Sequence, residues 1–218
     1  MMKNSLNKST NNKYEDILKA ARKLFAEKGY DKTSVREIVK EANTSMGNLY
    51  FYFPNKLEIL KVICQEFVGK LRKQIYEVYA KSYDPAIGFA LDFKIGYIAT
   101  MEDEKFSSFW IFARNIPEIH NYSLENKRIR LKTFFGDRIR SEHDLNSFAI
   151  AIQGIADAFF EQKREGHLAE SSAVLSNTII DFSLRLMGYP QAKIKNILQE
   201  VEQYIRNKKI TVDDHFIE

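Results

Sequence analysis

The sequence predicts an all-α protein, an N-terminal three-helix bundle followed by a larger helical body. Three observations carry this. Apolar residues recur at three- and four-residue spacing along most of the chain, with no convincing strand-like alternation. Nine glycines and four prolines in 218 residues are about half the usual share of roughly 12%, which leaves few turns for a fold of many short strands. Gly29, Pro54, Pro85, Pro117, Gly188 and Pro190 all fall between the periodic segments.

The first helix is expected over about 14–28, with Ile17, Ala20, Ala21, Leu24 and Phe25 on one face and Gly29 as its left-handed stop. The residues before it, MMKNSLNKSTNNK, hold no apolar stretch; they read as a disordered arm and not as a secretory leader. Ser34-Val35-Arg36-Glu37 is a capping box that opens a second helix, whose Ile38 and Ala42 face the first. Asn43-Thr44 makes a short break. Ser45 caps a third, very short helix holding Leu49 and Tyr50, and Pro54 ends it. Two helices separated by three or four residues have the spacing of a helix-turn-helix.

A long helix follows over 56–80, carrying Leu57, Leu60, Ile63, Cys64, Phe67 and Leu71. Asp84-Pro85 restarts the chain as N-cap and first helical residue. The helix to about Met101 is apolar on two faces, so it should be central. Pro117 breaks an aromatic segment, 106–113. An amphipathic helix is expected over 118–140, around Leu124, Leu131, Phe134 and Phe135. Asp144 or Asn146 opens the next, through Phe160, and Glu170 or Ser171 opens another to Met187. Gly188-Tyr189-Pro190 separates it from a last helix over 191–208.

Composition narrows the function classes. Hydrophobic residues make up 44% and charged residues 28%, an ordinary globular balance. The run Leu145 to Ala156 has 12 residues without Asp, Glu, Lys or Arg, short of the roughly 18 that a membrane span needs. The single cysteine, Cys64, forms no internal disulfide and suits a reducing cytoplasm. The four histidines are dispersed, without metal-ligand spacing, and no Gly-rich phosphate loop or nucleophile elbow is present. No enzyme, metal site or cofactor is therefore expected. The net charge of +4 is uneven: residues 1–56 hold 11 Lys/Arg against six Asp/Glu, whereas the other 162 residues hold 22 against 23. The first quarter thus carries all the net positive charge, the footprint of a phosphate-facing domain.

Within residues 14–57 the sequence reads Ile17-Leu18-x-Ala20-Ala21-x-x-Leu24-Phe25-x-x-x-Gly29-Tyr30, Thr33-Ser34-x-x-x-Ile38, then Ala42-x-x-Ser45-x-Gly47-x-Leu49-Tyr50-x-Tyr52-Phe53-x-Asn55-Lys56. This pattern closely resembles the DNA-binding domain of the tetracycline-repressor (TetR) family of bacterial regulators. The resemblance covers about a fifth of the chain. It implies a helix-turn-helix DNA-binding domain with an N-terminal arm over 1–56 and a helical ligand-binding and dimerisation domain over 57–218. The turn usually has Gly where this chain has Asn43, a residue that also tolerates a left-handed backbone.

The implied DNA-binding set is Thr33, Ser34, Thr44, Ser45, Met46, Gly47, Asn48, Tyr50, Phe51, Tyr52 and Lys56. Met46, Asn48 and Phe51 are expected at base edges: Asn48 can pair bidentately with adenine, while Met46 or Phe51 presses on a thymine methyl. Gly47 lets the backbone approach closely. Thr33, Ser34, Thr44, Ser45, Tyr50, Tyr52 and Lys56 are placed at phosphates, which fix register without reading sequence. Ser34 also caps its helix, and Leu49 and Phe53 are core. For a small apolar or aromatic effector the candidate residues are Tyr97, Met101, Phe106, Phe109, Trp110, Ala113 and Gln153, a set built on the aromatic segment.

The helices over 145–187 carry more apolar surface than one face can bury, which points to a twofold homodimer through them. Two recognition helices about one DNA turn or a longer groove spacing apart would then read a pseudo-palindromic double-stranded operator. The sequence-level reading is a cytoplasmic, ligand-released repressor. An activator of the same fold, or a helical protein-interaction module without DNA binding, is the alternative.

Overall fold

The computed structural model describes residues 2–79, 84–102 and 104–208; within them the side chains of 2–12, 67–68, 70–79, 104–106, 108, 111 and 208 are left out. The described residues form helices and connections, with no strand. The helices are α1 (Met2–Lys28), α2 (Val35–Glu41), α3 (Met46–Tyr52), α4 (Lys56–Tyr79), α5 (Pro85–Glu102), α6 (Glu104–Ala113), α7 (Pro117–Phe135), α8 (Glu142–Arg164), α9 (Ser172–Leu186) and α10 (Gln191–Lys208). A single 3-10 turn, Gly136–Arg138, follows α7. The chain separates into two compact units, one of residues 2–69 and 104–119, the other of 70–102 and 120–208.

In the first unit the expected local signals operate. Ser34 is extended and its hydroxyl accepts from the Glu37 N–H, while the Glu37 carboxylate accepts from the Ser34 N–H at 2.8 Å. Asn43 has φ of +45°, the left-handed backbone the turn requires, and Thr44 N–H closes it on Val39 O at 3.1 Å. Ser45 then caps α3 through the Asn48 N–H at 3.1 Å. Gly29 stops α1 at φ +83°, a conformation that costs glycine little. The core combines Ile17, Leu18, Ala21 and Phe25 of α1 with Ile38, Leu49, Phe53, Leu60 and Ile63. Each large side chain so buried contributes roughly 1.5–3 kcal/mol relative to exposure.

The helix α1 begins at Met2, not near Tyr14, so its backbone continues through the stretch expected to be a disordered arm. That stretch has no apolar periodicity and gave no helical signal. The side chains of Lys3 and Lys8 lie outside the described residues; Lys13 donates to Asn43 O at 3.2 Å and so helps hold the turn before α3.

In the second unit α5 is central, with every residue from Ala86 to Ile95 buried. Two of these are charged. Asp92 pairs with Arg130 of α7. Lys94 donates to Asn177 of α9 at 2.8 Å and pairs with Glu202 of α10. Burial opposes the Glu202 charge, but the hydrogen bonds from Lys94 and Asn177 hold its carboxyl below the ordinary value. Because an isolated buried charge is costly, this three-helix network favours one register of α5, α9 and α10. The rest of the core includes Ile87, Phe89, Leu91, Leu131, Phe135, Ile152, Ile179, Ile180, Leu184 and Ile197.

Helices α7 and α8 differ from expectation at their ends. Ser141, not Asp144 or Asn146, caps α8, its hydroxyl accepting from Asp144 N–H at 3.1 Å. Pro117 opens α7, which stops at Phe135 and not near 140, while α6 ends at Ala113, the end of the aromatic segment. The Ser171 hydroxyl caps α9, one of the two residues expected there.

Candidate nucleic-acid interface

Helix α3 buries one residue, Leu49, among seven. The rest follows from its periodicity. With Leu49 inside, Met46, Gly47, Asn48, Tyr50 and Phe51 are exposed. Met46 is 37% exposed, Tyr50 51% and Phe51 75%, all high for large apolar side chains. Asn48 donates one amide proton to Thr44 Oγ1 at 3.2 Å, which sets its side-chain direction. A Cβ built on Gly47 would meet one atom within 4 Å, Ser45 Oγ at 3.9 Å, so the backbone there is open. Tyr52 is half-buried, its ring edge-on to Tyr14 at 5.8 Å and to Phe51 at 5.0 Å. Ser34 and Ser45 are exposed caps, and Thr44 is half-buried.

Two expected phosphate contacts have internal duties instead. Thr33 is 1% exposed, and its hydroxyl donates to Gly29 O at 2.8 Å and to Leu24 O at 3.3 Å. It satisfies carbonyls left over at the end of α1 and cannot reach solvent. Lys56 donates to Tyr30 O at 2.7 Å and Thr33 O at 2.8 Å, with its ammonium 4.0 Å from the Tyr30 ring centroid. Burial lowers its pKa below the ordinary value. Lys56 therefore staples the connection between α1 and α2. Nothing local in the sequence signals this bond, since its partners lie 23 and 26 residues away.

Much of the positive charge in this unit is neutralised by Lys13–Asp16, Lys23–Glu41, Lys28–Glu37 and Arg22–Glu66 pairs. Lys19, Lys32, Arg36 and Lys40 are exposed and have no carboxylate partner among the described residues. The Lys28 bond, with the Ser34 cap, holds the Glu37 carboxyl down to about 2.

The expected effector residues fall into two different cores. Phe109 and Ala113 are buried in the first unit, where Phe109 stacks on Phe25 with centroids 6.4 Å apart and Trp110 packs at the periphery. Tyr97 and Gln153 are buried in the second unit, and Met101 is half-buried there. The Phe106 side chain lies outside the described residues. The aromatic segment thus serves the core beneath the helix-turn-helix.

Residues 17–63 match the family described as bacterial regulatory proteins, tetR family. The HTH-type transcriptional regulator YuxN of Bacillus subtilis is 32% identical over 153 residues, 66% of this chain and 53% of the relative. The chain thus spans about half the length of that relative. Among solved structures, RolR in complex with resorcinol aligns with a TM-score of 0.65 at 21% identity, covering 88% of this chain and 95% of RolR. FadR from Bacillus subtilis, in complex with stearoyl-CoA, aligns with a TM-score of 0.62 at 22% identity, covering 78% and 97%. At these identities the likeness concerns the fold. Together with the capped, left-handed turn before α3, the match identifies residues 17–63 as a helix-turn-helix region of the tetR-family type.

Proposed function

We propose that the chain is a ligand-responsive, DNA-binding transcriptional regulator. It acts as a homodimeric repressor that holds a pseudo-palindromic operator and is released by a small effector with an apolar or aromatic body. One observation carries the reading: α3 spends a single residue on the core and turns Met46, Gly47, Asn48, Tyr50 and Phe51 outward. A free protein gains nothing from a phenylalanine three-quarters in water, whereas a helix seated in the major groove covers it. Asn48 then reads adenine, Phe51 and Met46 take apolar contacts, and Tyr50, Ser34 and Ser45 meet phosphates. Lys19, Lys32, Arg36 and Lys40 supply the unspent positive charge.

The dimer reading is supported by Ile150 of α8 and Val174, Phe182 and Leu186 of α9, all exposed in the single chain. An α8–α9 pair packed twofold against its copy would cover them. Effector release is then a population shift: the effector must bind the dimer whose recognition helices miss the groove spacing better than the one that fits.

The test is a gel shift on DNA selected from a random pool, at several salt concentrations, with light scattering on the same sample. A sequence-selective, salt-dependent dimer complex supports the reading. No preference over competitor DNA would favour a helical interaction module instead.

A further inference from the structure

Two consecutive hydroxyls hold Asn48. Ser45 Oγ accepts its backbone N–H at 3.1 Å, as an N-cap does three residues into a helix. Thr44 Oγ1 accepts from its side-chain Nδ2 at 3.2 Å. The first bond belongs to the helix. The second joins two side chains, an exposed asparagine and a half-buried threonine, and satisfies no backbone group. Water serves an exposed amide nearly as well, so the bond adds little to stability. What it changes is where the amide points.

Thr44 is itself anchored. Its N–H donates to Val39 O at 3.1 Å, just after Asn43 with its φ of +45°. Lys13 donates to the Asn43 carbonyl at 3.2 Å. The Thr44 hydroxyl thus stands at a set place ahead of α3, and the amide one turn inside the helix takes its direction from it. Helix α2 offers a contrast at the same position. Its third residue, Glu37, is spent on the N–H and hydroxyl of its own cap, Ser34. The third residue of α3 remains exposed and is steered from outside the helix.

An asparagine amide has two protons and one acceptor oxygen. With one proton on Thr44, Oδ1 and one proton remain. In the major groove adenine presents one acceptor, N7, and one donor, on N6, which match in number and kind. Guanine presents two acceptors, N7 and O6, so one of them would oppose Oδ1; thymine presents O4. An amide released from Thr44 has a second proton to offer these acceptors. The bond to Thr44 therefore withdraws the donor on which the competing bases depend.

We propose that Thr44 is a specificity-determining positioning residue: its hydroxyl holds the Asn48 amide so that the side chain prefers adenine. Thr44 then acts on base preference through Asn48, and not on affinity through a phosphate. The proposal deepens the DNA-binding reading of α3 and rests on it.

The test uses the full chain and the duplex that it selects from a random pool. Fluorescence anisotropy is measured on that duplex and on duplexes altered one base pair at a time. Asn48→Ala locates the position whose preference depends on Asn48. Thr44→Val, which keeps the shape without the hydroxyl, should reduce the adenine preference there about two- to tenfold and leave the salt slope unchanged. Thr44→Ser should retain the preference. In an Asn48→Ala background Thr44→Val should have no further effect on base preference. Thermal melts check folding, and Thr44→Ala removes the same hydroxyl if the valine variant is unstable. Uniform weakening of every duplex with a shallower salt slope would overturn the proposal and make Thr44 a phosphate contact. An unchanged preference in Thr44→Val, or no position that depends on Asn48, would overturn it and leave the regulator reading standing. A wild-type chain without sequence preference would sink both.

Discussion

Gly47→Ala separates folding from DNA binding more cleanly than any other single change. Gly47 is the second residue of α3, and a Cβ there would touch Ser45 Oγ at 3.9 Å, ordinary van der Waals contact. Its φ is not in the left-handed region, so alanine introduces no backbone strain. Alanine is favoured over glycine inside a helix by up to about 1 kcal/mol, and less in a first turn, so about 0.5 kcal/mol is expected. For a chain of this size that raises Tm by roughly 1–2 °C. The same methyl stands on an open backbone flanked by exposed Met46 and Asn48. If that backbone closes on DNA, the methyl displaces it and costs about 1–2 kcal/mol, a roughly tenfold loss in operator affinity. Thermal melts and fluorescence anisotropy on one preparation read both quantities. A lower Tm would refute the packing argument; an unchanged affinity would show that DNA does not approach residue 47.

Thr33→Val keeps the shape but removes the donor to Gly29 O and Leu24 O. It should cost about 1–2 kcal/mol, lower Tm by roughly 2–8 °C and leave the salt dependence of DNA binding unchanged. Lys56→Met should also lower Tm, because Tyr30 O and Thr33 O lose their donor. Its effect on the slope of log affinity against log salt should fall short of the roughly 0.9 that one phosphate contact contributes; a full unit would return Lys56 to the backbone-contact set. Glu37 has a folded pKa lowered from 4.5 to about 2, so its contribution is complete above 4.5 and lost as pH falls toward 2. Tm should therefore fall more steeply across that window in the natural chain than in Glu37→Gln, and parallel curves would argue against the capping bond. Burial pushes the Cys64 thiol up to about 12, so iodoacetamide at pH 8 should leave it unmodified until the chain is unfolded.

What was legible in the sequence divides by the distance over which each interaction is encoded. The helix-turn-helix is written within four-residue windows: Ser34 with Glu37, Asn43 in the turn, Ser45 with the Asn48 N–H. Local chemistry decides such elements, so they can be read before the chain is folded. The α8 cap shows the limit of the same signal. Ser141, Asp144 and Asn146 are all competent N-caps within six residues, and only the final path of the chain selects Ser141.

Beyond that range the sequence states that a residue is buried but not against what. The aromatic run of α6 is apolar enough to be core anywhere, and only the folded chain shows that Phe109 and Ala113 pack in the core of the first unit, with Phe25. Lys56 and Thr33 resemble phosphate ligands by type and position, yet carbonyls elsewhere in the fold claim them first.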